Sequence, residues 1–356
     1  MSADTVGGVW TYALDLVRAL PECEFHLATM GALLSLSQTA EARALANVTV
    51  HESAFRLEWM ADPWDDITRA SHWLLGLERD VRPDIIHLNG FVHAALPWPV
   101  PVVTVGHSCV LSWFQAVCGK DAPLEWARYA QTVRAGLAAS DYVAAPTQAM
   151  LSALETHYGP LPPSEVIANA RDADLFSPGA KQPFILSAGR MWDEAKNMAA
   201  LAQAAPGLPW PVYVAGDVSG PNQSPTNTPS LHMLGRLTPP DLAGWMARAS
   251  IYALPARYEP FGLSILEAAL SGCALVLGDI ASLREVWEDA AVYVPPDDTH
   301  ALHQTLLDLG RDQALRESMA ALALARAALY SPARMAASYQ ALYSKALQCK
   351  TAGVFS

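Results

Sequence analysis

Two glutamates, Glu259 and Glu267, bracket the stretch Pro260-Phe261-Gly262-Leu263-Ser264-Ile265-Leu266. A carboxylate offers only acceptors, so this pair suits the hydroxyls of a sugar or a ribose. Gly262 lies where an apolar run, 251–254, gives way to a helical pattern, 265–270. A glycine at such a strand-to-helix turn lets backbone approach a ligand without a Cβ in the way. The N–H groups of the first helical turn then favour an anion. A phosphate cradle flanked by two hydroxyl acceptors is a workable site for a nucleotide sugar. At this spacing alone, the two glutamates would fit a capped helix with two solvated carboxylates equally well.

A second cluster is Gly189-Arg190-Met191-Trp192-Asp193-Glu194-Ala195-Lys196, again after an apolar run. Arg190 and Lys196 can both reach one phosphate group, and two cations offset a diphosphate leaving group without a metal. A solvated loop is the plainer alternative. Gly7-Gly8 heads the first helical pattern and can bring N–H groups to an anion by the same logic, or can be a simple tight turn. His107 follows the apolar run 101–106, at a strand end where ligands of doubly wound sheets bind. His87 and His93 flank another strand end at Asn89-Gly90 and are candidates to face an acceptor. The pairs Asp65-Asp66 and Asp297-Asp298 read as structural, the first opening a helix and the second following Pro295-Pro296 in a turn.

The elements that must position these residues alternate along the chain. Strands are expected over 24–29, 48–51, 84–88, 101–106, 142–145 and 165–168. Helices are expected over 9–20, 39–46, 65–81, 123–138 and 147–157. After a linker over 174–183, a second series of strands is expected over 184–188, 211–215, 231–234, 251–254, 274–277 and 291–294, again with helices between. Short apolar runs separated by helical patterns imply α/β domains with parallel sheets. The stretch 219–230 is rich in Pro, Asn, Ser and Thr and reads as a mobile loop. The segment 108–121 reads as a loop whose Trp113 and Phe114 either stack on a sugar or a lipid-linked glycan or belong to the core.

A length of 356 residues favours two domains. Hydrophobic residues make up 52% and charged residues 16%, enough apolar material for large cores. The net charge of −12 argues against nucleic acid and against strong attraction to anionic lipid. Five scattered cysteines, Cys23, Cys109, Cys118, Cys273 and Cys349, form no metal-ligand spacing and read as reduced, buried thiols of a cytoplasmic protein. No stretch is apolar for long enough to span a membrane, and the first residues lack the basic start of a signal peptide.

The run Glu-Pro-Phe-Gly-Leu-Ser-x-Leu-Glu-Ala-x-x-x-Gly, beginning at Glu259, resembles the signature of the retaining glycosyltransferases of family 4. The Gly-Arg-x5-Lys run from Gly189 to Lys196 resembles the same family's diphosphate-holding element. The resemblance implies the GT-B fold: two Rossmann-like, doubly wound parallel-sheet domains facing a cleft. Expected bounds are 1–173 for the acceptor-side domain and 183–330 for the nucleotide-sugar domain, with 333–356 a helix crossing back to the first. It implies metal-independent transfer of a sugar, with retention, from a nucleotide-sugar donor to a glycan, lipid-linked or small-molecule acceptor, without a cofactor. Front-face attack is the expected route, the departing phosphate oxygen taking the acceptor's proton. In that scheme Arg190 and Lys196 stabilise the leaving diphosphate with Gly262 and Leu263. Glu259 holds the donor sugar and Glu267 the ribose, with His107 near the reactive face. Gly7, Gly8 and Phe261 join the donor-binding set. Asp217, Arg236 and Leu237 lie at neighbouring strand ends where the base is expected. Ala170 stands where relatives commonly carry glycine, so its φ is expected to be negative. The family's first strand lies mid-sheet, and here little precedes Gly7, so a start upstream of Met1 is expected.

Two other readings remain open on the residues. One is a GT-B phosphorylase or a sugar-nucleotide epimerase. A phosphorylase would not need Glu267 for a ribose and would tolerate Glu267→Ala. The other is a non-catalytic nucleotide-sugar-binding subunit.

Overall fold

The structure, a computed structural model, describes residues 1–190, 192–217 and 229–353, with side chains to residue 348. The expected mobile loop over 219–230 therefore lies outside the described residues, save for a turn at 229–230. The chain divides into two compact units. The first comprises Met1–Gln115, Lys120–Asn169 and Pro332–Ser356; the second comprises Ala116–Gly119 and Ala170–Ser331.

In the first unit the strands are β1 (Ser2–Asp4), β2 (Phe25–Met30), β3 (Val48–Glu52), β4 (Ile86–Leu88), β5 (Val102–Val105), β6 (Tyr142–Ala145) and β7 (Ser164–Val166). They pair in parallel as β1-β2-β3 and β4-β5-β6-β7. Asn89, just after β4, ties the two sets together: its N–H donates to Ser2 Oγ at 2.9 Å and its Nδ2 to the Ser2 carbonyl at 2.7 Å. The helices are α1 (Gly8–Ala19), α2 (Leu36–Arg43), α3 (Trp64–Val81), α4 (Val110–Trp113), α5 (Ala127–Ala139) and α6 (Gln148–Tyr158). The apolar face expected of α1 is buried through Trp10, Ala13, Leu14, Leu16 and Val17.

The stretch expected as a loop over 108–121 is largely helical. α4 runs straight into a π-helical turn, Phe114–Cys118. Its aromatic rings pack on one another: Trp113 meets Phe114 edge-on at 5.3 Å, Phe114 lies 6.1 Å from Trp126, and Trp126 meets Tyr129 of the core at 5.6 Å.

The second unit has one six-stranded parallel sheet. Its strands are β8 (Gln182–Ala188), β9 (Val212–Ala215), β10 (His232–Gly235), β11 (Ala249–Leu254), β12 (Ala274–Gly278) and β13 (Val292–Val294), in the order β10-β9-β8-β11-β12-β13. Its helices are α7 (Met198–Ala204), α8 (Pro239–Arg248), α9 (Leu263–Leu270), α10 (Ala281–Trp287), α11 (Thr299–Arg311) and α12 (Gln313–Ala327). Strands buried on both faces read as unbroken apolar runs, and every residue of β11 and β12 is buried. The chain winds outward in both directions from the β8–β11 pair. That pair is the switch point where doubly wound sheets take their ligands.

The last helix, α13 (Pro332–Gly353), belongs to the first unit and packs on α1 and β5. Ala170 is absent from the residues with positive φ, as its side chain requires. Among the described residues, no helix is long and apolar enough to cross a membrane.

Candidate active site

In the second unit the residues singled out in sequence gather at the carboxyl ends of β8 and β11. Close packing there begins with backbone. Gly216, after β9, has φ 139°, and a Cβ on it would lie 1.8 Å from the Gly189 carbonyl oxygen. No other residue lets the turn after β9 lie against Gly189-Arg190. Behind them, the Tyr252 hydroxyl lies 3.0 Å from the Ala188 carbonyl and 2.8 Å from Ser264 Oγ. This joins the end of β8 to the first turn of α9.

Gly262 lies at the expected strand-to-helix turn and caps α9 in a left-handed conformation, φ 91° and ψ 68°, and no side chain caps this helix start. Leu263 opens the helix and is half-exposed. The Phe261 ring is turned the other way: it is 2% exposed and packs edge-on to Tyr330 at 5.4 Å. Only its backbone can meet a ligand, so the expected donor contact does not extend to its side chain.

The loop after β8 is built around Asp193. Its carboxylate accepts from the Ala195 N–H at 3.0 Å and lies 3.3 Å from Arg190 Nη2. The Arg190 guanidinium also sits 5.4 Å above the Trp192 ring, yet its side chain stays 41% exposed. Asn197 adopts the left-handed conformation at φ 57° and donates from Nδ2 to the carbonyls of Pro255 and Pro296, at 2.9 and 2.7 Å. One amide thus fastens the loops after β8, β11 and β13, and asparagine tolerates this backbone better than most residues. The Ala195 carbonyl accepts from the Arg257 N–H at 2.9 Å, a further tie between the first two loops.

These ties bring Lys196 against Glu259: Nζ donates to Oε2 at 2.6 Å, with side chains 15% and 12% exposed. Glu267 is likewise paired, its Oε1 lying 2.8 Å from Arg171 Nε, with side chains 13% and 10% exposed. Neither glutamate of the signature is solvated. Arg171, Asp193 and Asn197 were not singled out as site residues in the sequence. Arg171 lies too far along the chain from Glu267 for spacing to reveal it. The Asp-x-Ala capping pattern at 193–195 is visible once the loop is known. Asp217 and Arg236 are exposed at the ends of β9 and β10, with Leu237 half-buried beside them.

Of the two acidic pairs, Asp298 caps α11 through the Ala301 N–H at 2.8 Å and Asp297 pairs with Arg257. Asp66 accepts from the Arg56 N–H at 3.0 Å and pairs with Arg69, both interactions holding its carboxyl below its ordinary range. Three of these four carboxylates are thus engaged within the fold. Among the described residues, no three His, Cys, Asp or Glu side chains converge as a metal site.

The first unit gathers neutral groups at its own strand ends. Gly7, φ 118°, caps α1, and Gly8 is its first residue. His107 Nε2 lies 2.9 Å from Asn89 Oδ1, and its ring meets Tyr12 edge-on at 4.5 Å. Because Asn89 Nδ2 donates to Ser2, the amide orientation is set and Oδ1 is the acceptor. His107 therefore carries its proton on Nε2 and presents Nδ1 as an acceptor. Burial holds its pKa at about 4, so the ring is neutral.

His87 is 4% exposed and belongs to the core, not to an exposed acceptor face. Its Nε2 lies 3.3 Å from the same Asn89 oxygen, and its Nδ1 lies 2.6 Å from the Tyr343 hydroxyl of α13. Burial, the largest cause, lowers its pKa to about 3. His93 is buried too, with Nδ1 3.3 Å from Ser71 Oγ and a pKa lowered by burial to about 4. Neither ring is exposed in the way an acceptor contact would need.

Comparison with known proteins identifies the family and the fold. Residues 182–312 match the family model for glycosyl transferases group 1, and residues 6–175 match that for glycosyltransferase family 4. The O-antigen chain mannosyltransferase B of Escherichia coli is 36% identical over 101 residues, which is 28% of this chain and 26% of that protein. The phosphatidyl-myo-inositol mannosyltransferase of Mycolicibacterium smegmatis is 31% identical over 119 residues, 33% of this chain and 28% of that protein. The matched segments thus span about a quarter of these relatives' lengths. Among solved structures, sucrose-phosphate synthase from Thermosynechococcus elongatus superposes with a TM-score of 0.80 at 17% identity, covering 98% of this chain and 96% of that one. Anabaena HepE in complex with UDP-glucose gives 0.77 at 16% identity, covering 97% and 100%. With both units matched in sequence and the whole chain matched in fold, the protein belongs to the group 1 glycosyltransferases of family 4 and has the GT-B fold.

Proposed function

We propose that this protein transfers a sugar, with retention of configuration and without a metal, from a nucleoside diphosphate sugar to a hydroxyl acceptor. The observation that carries this reading is the second unit's strand-end constellation. The uncapped start of α9 at Gly262, two cations at 190 and 196, and two carboxylates at 259 and 267 stand around one switch point. The helix start and the cations suit a diphosphate; the carboxylates suit the hydroxyls on either side of it.

In this reading Lys196 exchanges its partner. Without ligand it rests on Glu259; with donor bound it turns to the diphosphate while Glu259 takes sugar hydroxyls. Charges held as a pair avoid the cost of a lone buried ion, yet each is available to its half of the donor. In the transfer step the anomeric carbon–oxygen bond to the diphosphate breaks. The acceptor oxygen bonds the anomeric carbon from the same face, and its proton passes to the departing phosphate oxygen. Arg190, Lys196 and the α9 N-terminus stabilise the charge that develops there. His107, neutral and with Nδ1 as acceptor, holds a hydroxyl rather than a proton in transit. Relatives named mannosyltransferases, and a fold neighbour holding UDP-glucose, make mannose and glucose the first donor sugars to test.

The test is thermal-shift binding of UDP, GDP and ADP in the presence of a chelator. It uses the wild type, Lys196→Ala and Arg190→Ala, in the last of which Asp193 keeps the Ala195 N–H as a donor. One nucleotide should stabilise the wild type and do so less in both variants. Stabilisation by none, or equally in all three proteins, overturns the reading.

A further inference from the structure

Arg171 is held on three sides within the second unit. Its N–H donates to the Tyr330 carbonyl at 3.3 Å, its guanidinium carbon sits 5.2 Å over the Phe176 ring, and its Nε lies 2.8 Å from Glu267 Oε1. A guanidinium can stack flat on a ring while presenting its edge to a carboxylate, and an ammonium cannot. Glu267 sits on α9, the helix whose N-terminus is the expected diphosphate cradle. A bare carboxylate so little exposed would be costly in itself and would repel the donor's diphosphate. Paired with Arg171, it keeps its acceptor oxygens while the pair carries no net charge.

We propose that Arg171 is the positioning residue that sets Glu267 to read the ribose of the donor. This rests on the reading of Glu267 as the ribose acceptor. The sugar ring's diol donates to a carboxylate whose orientation is fixed by the guanidinium, and the guanidinium is fixed by Phe176 and Tyr330. Preference for ribose over deoxyribose is then set by a residue that itself touches neither substrate nor the reacting atoms. The contact also links the site to the segment leading into the second unit. Arg171 lies just after Ala170, where that unit begins.

The experiment compares dissociation constants of UDP with 2′-deoxy-UDP, and of the GDP and ADP pairs alongside, by calorimetry. Wild type should prefer the ribonucleotide by about tenfold or more, the worth of a hydrogen bond to a charged group. Glu267→Gln should reduce that preference to within about threefold. Arg171→Met should do the same and, by leaving the Glu267 carboxylate unpaired, should also weaken affinity for both nucleotides, whereas Arg171→Lys should retain part of the preference. The double variant Arg171→Met/Glu267→Gln leaves no buried charge stranded. It should match Glu267→Gln alone, because the two residues act as one unit. Were Arg171→Met too unstable to assay, Arg171→Lys and the double variant would carry the comparison. Loss of the preference in Glu267→Gln but not in the Arg171 variants overturns the role of Arg171. Retention of the preference in Glu267→Gln overturns the ribose reading beneath it.

Discussion

At its strand ends the second unit gathers charge, while the first gathers neutral rings. In the second, Arg190 lies on Asp193, Lys196 on Glu259, Arg171 on Glu267 and Arg257 on Asp297. In the first, His107 and His87 share one amide oxygen beside Tyr12, and burial keeps both imidazoles uncharged. Under the proposed function, the difference is one of task. Receiving an anion in a half-buried place calls for cations, and cations there must be stored against carboxylates until the ligand arrives. Handling a hydroxyl calls only for an acceptor of fixed direction, which a neutral imidazole with an assigned tautomer supplies.

The sharpest way to break this contrast is to remove a cation. Lys196→Ala should lower kcat by about 10²–10³, the usual cost of losing one group that stabilises a leaving charge. Initial rates with a saturating nucleotide sugar measure it. A loss no greater than that caused by changes in the first unit would mean that the charged cluster is structural.

A smaller effect is expected from Asn89→Leu, which frees both histidines to change tautomer. Loss of a directed hydrogen bond should cost about tenfold in kcat with donor affinity unchanged. A weakened nucleotide affinity in this variant would show that the division of labour is wrong.

A third effect is on stability against pH. His87, His93 and His107 are lowered by burial from 6.5 to about 3, 4 and 4. Between those values and 6.5 the unfolded chain binds protons that the folded chain does not. Their contribution is therefore complete above pH 6.5 and is lost as pH falls through that window. Burial also lowers His51, which faces His26 across the β2–β3 pair, and it adds to the same trend. Glu58 works the other way. It is raised from 4.5 to about 6 by burial, against two N–H contacts from Phe91 and Val92, and it gains a proton in the folded state first. This one carboxyl offsets only part of the effect of the three buried histidines. Amide exchange corrected for intrinsic rates should thus show β4 and β5 losing protection between pH 7.5 and 5, with β11 and β12 nearly unchanged. Equal loss in both units would remove the contrast.

The charged half of this comparison was largely readable from the sequence. The unbroken apolar run of β11, Gly262 and the helical pattern after it identify a switch-point turn, because buried strands and left-handed glycines leave strong local marks. The partner of each glutamate was not readable. In sequence Lys196 and Glu259 each read as a ligand contact, not as partners of one another, and Arg171 carries no local mark. Pairing of this kind is set by tertiary approach and leaves no periodic trace. The neutral half was harder still. His87 carries the same local signal as His107, a histidine at a strand end. What separates them is Tyr339 and Tyr343, which α13 places against His87 from the far end of the chain. The π-helical turn at Phe114–Cys118 escaped for a different reason: its hydrogen bonding has no hydrophobic period of its own, and Gly119 with Pro123 nearby suggests a loop.

The return of α13 also bears on how the protein is made. The first unit's core counts Tyr339, Leu342 and Ala346 among its buried residues, and His87 has its Nδ1 contact in Tyr343. On the ribosome, β1 to β7 emerge first but cannot close over that core until the last helix has left the exit tunnel. The second unit is nearly continuous in sequence and is complete before α13 is synthesised. Although it comes later in the chain, it is the unit placed to fold first, and the N-terminal half must wait for it with an unsealed core.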